Sequence, residues 1–245
     1  MVISTRSDGH LWWPAASFHQ AALGLQSSRL AECVELVRAQ GLRGVFGRFP
    51  EFTECNIDVL GDLPNLEEVQ LYNVELDDLE GLYRLPRLHY LRISGKRPVI
   101  DFGRLRTLSR LVVEHRLKDR GFDALDGLTI MNSWRYKPTQ GTAFDLELPA
   151  ALRELLVCWS SVETFSPLRP LPDLRDLHLA RCRNLRNLRD LGNLRTSFPS
   201  LEQLTVEACG RLTLDEAERA ISGHPALTRV IAANRLILRD RGKPG

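Results

Sequence analysis

Apolar residues recur along this chain in one repeated local pattern. Between residues 152 and 172 they stand at Leu152, Leu155, Val157, Val162, Phe165, Leu168 and Leu171. The next stretch opens the same way 22 residues on, with Leu174, Leu177 and Leu179. An earlier copy runs through Leu66, Val69, Leu71, Val74, Leu76, Leu79, Leu82 and Leu85, and Leu88 begins another. The centre of the pattern is L-x-x-L-x-L. Its period-two positions predict a short strand whose alternate side chains enter a core. The leucines that follow predict a return arm that closes this core from the other side. One copy cannot bury its own leucines, so a period in the twenties predicts a solenoid in which each coil leans on its neighbours.

Strand starts counted on this pattern fall near 42, 66, 88, 108, 125, 152, 174, 201 and 227. The step from Leu108 to Leu125 is 17 residues, short against the roughly 20–29 usual for such coils. The interval 132–148 is rich in Trp, Tyr, Pro and Gly and reads as a loop that leaves the coil. Residues 1–41 read as an N-terminal cap. Its Trp12, Trp13, Pro14 and Phe18 are too apolar for a free tail and are expected to cover the first open edge. Leu30, Cys33, Val34 and Val37 predict a helix over about 28–40, stopped by Gly41. Repeats occupy 42–240. A helix over Thr213–Ile221 is acidic in its first turn and is followed by Gly223 and Pro225 as stops. Residues 241–245 form a tail.

The L-x-x-L-x-L residues at Leu66, Leu152 and Leu174 resemble the leucine-rich repeat family, in its short bacterial and cytosolic form with irregular repeats of about 20–27 residues. The resemblance implies an α/β solenoid: a horseshoe with a parallel inner sheet of about nine strands, an irregular or short-helical convex side and a helical N-terminal cap. The family places Asn or Cys three positions after the third core residue, bonded to the backbone of the bend. Cys182 and Cys209 hold that position here, with Val74, Lys96, Arg116, Ser133, Ser160 and Arg235 in the other repeats. That departure implies middle bends satisfied by water or backbone. Cys182 and Cys209 would lie in adjacent turns, as paired buried thiols or as a disulfide.

Charge and composition narrow the function. Net charge is +2 over 245 residues, so no global field steers the chain toward nucleic acid or anionic lipid. The N-terminus lacks the basic start and apolar run of a secretory signal, and no stretch reaches the roughly 18 continuous apolar residues of a membrane span. The five cysteines, Cys33, Cys55, Cys158, Cys182 and Cys209, are scattered and include no CxxC pair, which points away from a disulfide framework or a zinc site and toward a reducing cytoplasm. Phosphate-loop, HExxH and GxSxG motifs are absent. No cofactor or metal is expected.

What remains is the inner strand face. Aromatic residues and Arg dominate binding hot spots. On that ground Tyr72, His89, Tyr90, Arg92, Arg110, His115, Trp159, His178 and Arg181 are the candidate partner-binding residues. Most members of the family bind proteins through this face. The expected function is therefore non-catalytic recognition of a partner protein on the concave sheet. A narrower form is a bacterial immunity protein or inhibitor that neutralises a toxin. The alternative is an enzyme built on Cys158 and His178, with Asp176 near in sequence; such a pair needs hydrogen-bond reach and an orienting third group. A nucleic-acid role is disfavoured because Glu114, Glu154 and Asp176 interrupt the arginines.

Overall fold

The computed structural model describes residues 3–14, 21–165, 169–186, 188, 194–210, 213–221, 224, 226–232 and 235–239, with backbone alone at 194–195, 214, 220, 232 and 235–239. The expected tail at 241–245, Phe18 of the cap, and the stops Gly223 and Pro225 lie outside the described residues. The chain divides into two compact units, 1–113 and 114–245.

The first unit begins with three short strands, β1 (Ser4–Thr5), β2 (Leu11–Trp13) and β3 (Ala22–Gly24), joined antiparallel. Helix α1 (Leu30–Gln40) follows and buries Cys33, Val34 and Val37; Gly41 ends it at φ 60°. From β3 onward the pairing is parallel, through β4 (Gly44–Arg48), β5 (Glu68–Glu75), β6 (Tyr90–Lys96) and β7 (Arg110–Glu114). The N-terminal segment is thus a small sheet plus a helix, where the sequence pattern predicted only the helix. Strands of two or three residues carry too little alternation to be legible.

The second unit continues with β8 (Ile130–Trp134), β9 (Glu154–Cys158), β10 (Asp176–Ala180), β11 (Gln203–Glu207) and β12 (Arg229–Ala232). These pair in parallel from β8 to β12, and β13 (Arg235–Arg239) closes the row antiparallel. Return arms in both units are single turns: 3-10 turns at Asp58–Asp62, Phe102–Arg104 and Phe122–Ala124, and short helices α2 (Glu80–Tyr83) and α3 (Leu194–Ser197). The later helix α4 (Leu214–Ile221) is opened by a capping box. In that box Thr213 Oγ accepts from the Glu216 N–H while the Glu216 carboxylate accepts from the Thr213 N–H.

Strands β5 to β12 each begin two residues after a buried leucine, and before β5, β7, β8, β9, β10 and β11 that leucine closes a turn with an apolar residue three places earlier. The N–H of Leu66 donates to Leu63 O, Leu108 to Leu105, Leu174 to Leu171 and Leu201 to Phe198, at 3.0–3.2 Å. Leu128 donates to Leu125 O at 2.8 Å in the same way. Leu125 therefore corresponds to the turn leucines, and the strand start belongs at Leu128. Both leucines are fully buried, and the register three residues early comes from mistaking the L-x-x-L of the turn for that of the strand. Asn132, Ser133 and Trp134 then belong to β8, so the excursion expected at 132–148 begins only at Arg135. It is packed inward: Tyr136 contacts Phe144, which stacks on Phe165, and a parallel bridge joins Ala143 to Thr164. The Asp145 carboxylate ties it down, accepting from the Tyr136 hydroxyl and, at 3.1 Å, from the Thr139 N–H.

Inward positions fill the core. Val69, Leu71, Leu91, Leu111, Leu155, Val157, Leu177, Leu179 and Leu204 are at most 1% exposed. At Gly95, with φ 106°, a Cβ would stand 2.2 Å from Val74 O, so only glycine lets β5 and β6 approach there.

Candidate binding surfaces and the relatives of the fold

Side chains that alternate with the core leucines form an open face on each unit. In the first unit, strand register sets two rows: Glu68, Tyr90 and Arg110, then Phe46, Gln70, Arg92 and Val112; Arg48 and Tyr72 begin a third. Arg92 lies over the Tyr72 ring at 4.6 Å, and Arg110 over Tyr90 at 5.7 Å. Trp13 from the cap packs edge-on against Phe46 and tilts toward Tyr72. These contacts enclose polar groups. The Tyr72 hydroxyl donates to Gln70 Oε1 at 2.6 Å. Gln70 is fully buried, and its Nε2 and Glu68 Oε2 have no hydrogen-bond partner. Burial raises the Glu68 carboxyl from the ordinary 4.5 to about 7; Arg110 opposes the rise and Glu67 adds to it. Burial also pushes the Tyr72 and Tyr90 hydroxyls up.

Two candidates therefore need correction in this unit. Tyr90 is only 6% exposed, covered by the arginines the sequence counted beside it. His89 stands one residue before β6, exposed, with Nδ1 3.1 Å from Thr107 O. Tyr72, Arg92 and Arg110 are half-buried on the open face.

The second unit presents a different surface. The rows here are Ile130, Glu154, Asp176, Gln203 and Arg229, then Asn132, Leu156, His178, Thr205 and Ile231, then Trp134, Cys158, Ala180 and Glu207. His178 is half-buried, with Nε2 3.5 Å from Glu207 Oε2. Trp159 and Arg181 are not on strands; each is the residue just past one, in left-handed backbone at φ 54° and 56°. Arg135, at φ 56°, completes the same row after β8. The backbone there is held by continued ladder bonds: Arg135 N–H to Cys158 O, Trp159 N–H to Ala180 O and Arg181 N–H to Glu207 O, at 2.8–3.0 Å. A bulky residue in this conformation costs about 1–3 kcal/mol, so the row places large side chains where glycine or asparagine fits with least strain. Trp159 is 46% exposed and is not covered by the neighbouring excursion. Trp134 meets it edge-on at 5.6 Å, Arg181 lies over its ring at 5.5 Å, and Arg135 pairs with Glu114 at 2.9 Å.

His115 is no part of any face. It is 8% exposed, stacked on Phe122 and edge-on to Tyr136. Trp134 and Arg135 escaped the sequence reading because the register was set at Leu125; starting at Leu128 puts Arg135 in line with Trp159 and Arg181.

The Cys–His alternative fails on geometry. Cys158 pairs with Ala180 and His178 with Leu156, so they occupy different rows. No hydrogen bond joins them, and burial pushes the Cys158 thiol up, away from thiolate.

The bend position also shifts with the register, from Ser133 to Tyr136. Val74, Tyr136, Ser160, Cys182 and Cys209 are buried there. Ser160 Oγ donates to Tyr136 O at 2.9 Å, Cys182 Sγ to Val157 O at 3.6 Å and Cys209 Sγ to Leu179 O at 3.6 Å. Each side chain thus bonds the backbone of the preceding coil. Both cysteines are free thiols, and their mutual hydrogen bond together with burial pushes the Cys182 thiol up. Lys96 is exposed, Arg116 half-buried, and the Arg235 side chain is outside the described residues.

Among the described residues no helix is long and apolar enough to cross a membrane, and no group of His, Cys, Asp or Glu is arranged to hold a metal. No protein-family model matches the chain, and no curated protein matches it in sequence. Solved structures do. Internalin C2 (InlC2) of Listeria monocytogenes is 17% identical with a TM-score of 0.50, over 75% of this chain and 79% of that one. The internalin InlF of the same organism is 18% identical, TM-score 0.48, over 81% and 69%. The leucine-rich repeat domain of the type III effector XopL is 20% identical, TM-score 0.40, over 90% and 76%. With buried leucines at matched offsets before β5 to β12, parallel ladders in both units and the InlC2 likeness, the chain is, in fold, a leucine-rich repeat protein.

Proposed function

We propose that the chain is a non-catalytic recognition module that holds a partner protein on its open sheet faces and on the residues at the strand ends. The observation that carries this reading is Trp159. A large aromatic ring stays 46% exposed, in a strained backbone conformation, with an arginine laid over it. Among the described residues its ring contacts are Trp134 and Arg181, and Trp and Arg are the residues that most often dominate binding energy. The Tyr72, Arg92 and Arg110 group on the first unit supports the same reading. Its half-buried side chains are stacked and held in place, which lowers the entropy lost on docking.

The test is truncation with a partner isolated by affinity capture from the native source. Trp159→Ala and Arg181→Ala are each expected to weaken binding on the order of 30-fold, about 2 kcal/mol, with the circular-dichroism spectrum unchanged. A complex that keeps its affinity when Trp159, Arg181, Tyr72 and Arg92 are all truncated would overturn the proposal. The narrower reading, an inhibitor of a toxin, adds one requirement: the partner's own activity must fall on binding.

A further inference from the structure

The residues at the strand ends of the second unit also point to what kind of segment docks, an inference that rests on the recognition reading above. Arg181 is exposed, and its guanidinium meets no carboxylate among the described residues; its contact is the Trp159 ring. Two residues on, Arg183 is exposed and likewise has no carboxylate. Two acids nearby are already engaged by arginines, Glu114 with Arg135 and Glu163 with Arg186, each at 2.9 Å, while Glu207 stands 3.5 Å from His178. This patch therefore carries positive charge beside an open aromatic surface. The indole N–H of Trp159 has no acceptor among the described residues either.

We propose that the Arg135–Trp159–Arg181 row docks an acidic segment of a partner protein, in which an apolar side chain lies on the Trp159 ring and an adjacent carboxylate is taken by Arg181. A guanidinium held over an indole by a cation–π contact still has N–H groups to offer a carboxylate. The ladder bonds at each rung hold the backbone, so these side chains are displayed before the partner arrives. Rungs about 4.8 Å apart bring neighbouring side chains of one extended segment within reach of Trp159 and Arg181 together. A nucleic-acid strand fits less well. Its evenly spaced phosphates need an unbroken cationic stripe, and Glu114 and Glu207 border this row.

The experiment uses the whole chain and capped heptapeptides. The acidic probe is Gly-Glu-Glu-Phe-Glu-Glu-Gly; its controls replace every Glu by Gln or by Lys, and single-stranded oligothymidylate is the nucleic-acid arm. Binding is read from the indole N–H resonance of Trp159, assigned by its loss in Trp159→Phe. The acidic peptide is expected to shift that resonance and to bind at least tenfold more tightly than the Gln peptide, with no binding of the Lys peptide. Arg181→Asn, which suits the left-handed backbone, is expected to weaken binding at least tenfold while the other indole resonances stay in place. Equal binding of the Glu and Gln peptides, no peptide binding, an unaffected Arg181→Asn variant or tighter binding of oligothymidylate would each overturn the inference. The two readings fail separately. A natural partner lost in Trp159→Ala but indifferent to amidation of its carboxylates sinks the acidic segment alone. A partner indifferent to Trp159→Ala, Arg181→Ala and truncation of the first unit's face sinks the recognition reading itself.

Discussion

Replacing Glu68 by Gln should make the protein more stable, and only above mildly acidic pH. Glu68 is half-buried, between Gly44 and Tyr90 in the strand register, with one carboxyl oxygen lacking any donor. Its carboxyl rises from the ordinary 4.5 to about 7 in the fold. The folded state therefore holds this proton more tightly than the unfolded chain. Between those two values the folded state binds more protons, so stability falls as pH rises. At about 1.4 kcal/mol per pH unit, a fully enclosed carboxyl would lose on the order of 3 kcal/mol across that window. Glu68 is partly open to water, and solvent screening reduces the figure to about 1–2 kcal/mol. Gln keeps the shape and removes the charge. Urea denaturation of both proteins from pH 5 to pH 8 provides the check, because other titrating groups cancel in the difference. The variant should match the wild type near pH 5 and exceed it by about 1–2 kcal/mol at pH 8. A carboxyl carbon titration of Glu68 should show a midpoint near 7. A stability difference that does not vary with pH, or one that favours the wild type as pH rises, would refute the reasoning.

Other outcomes follow from the same structure. Leu177→Ala, at a fully buried position of β10, should cost about 2–5 kcal/mol in chemical denaturation. Gly95→Ala meets Val74 O at 2.2 Å with φ at 106° and should lose more than about 1 kcal/mol, measured as a lowered melting temperature. Arg181→Asn should leave stability within about 1 kcal/mol of the wild type, since relief of backbone strain offsets the lost contact with Trp159; a drop of several kcal/mol would show that the arginine is structural. Thiol alkylation of the folded protein should modify exposed Cys55 first and leave buried Cys158 no faster than Cys182.

The leucine arithmetic was legible because burial forces it. A strand one residue wide of its register would turn its core side chains outward, so Leu66, Leu88, Leu152, Leu174 and Leu201 announce their strands. The same arithmetic misled at Leu125, where turn and strand both read L-x-x-L and only the closing bond of Leu128 tells them apart. From that slip came the misplaced Ser133, the loop drawn over part of β8 and the missed Trp134 and Arg135. The open faces were harder to read. Alternation says which side chains leave the core, but not that Arg92 and Arg110 fold back over Tyr72 and Tyr90, nor that His115 turns inward onto Phe122. Trp159 and Arg181 stood out by residue type, whereas their place beyond the strand end depends on backbone dihedrals that residue spacing does not encode.

The left-handed residue after each of β8 to β11 has a use for protein engineering. Arg135, Trp159, Arg181 and Ala208 occupy it, and none is β-branched. Because the neighbouring coil fixes the chain path there, the identity of this residue is decoupled from the fold. It is a natural column to randomise: a library confined to these sites, omitting Val, Ile and Thr, would vary what the protein grips while leaving its architecture alone.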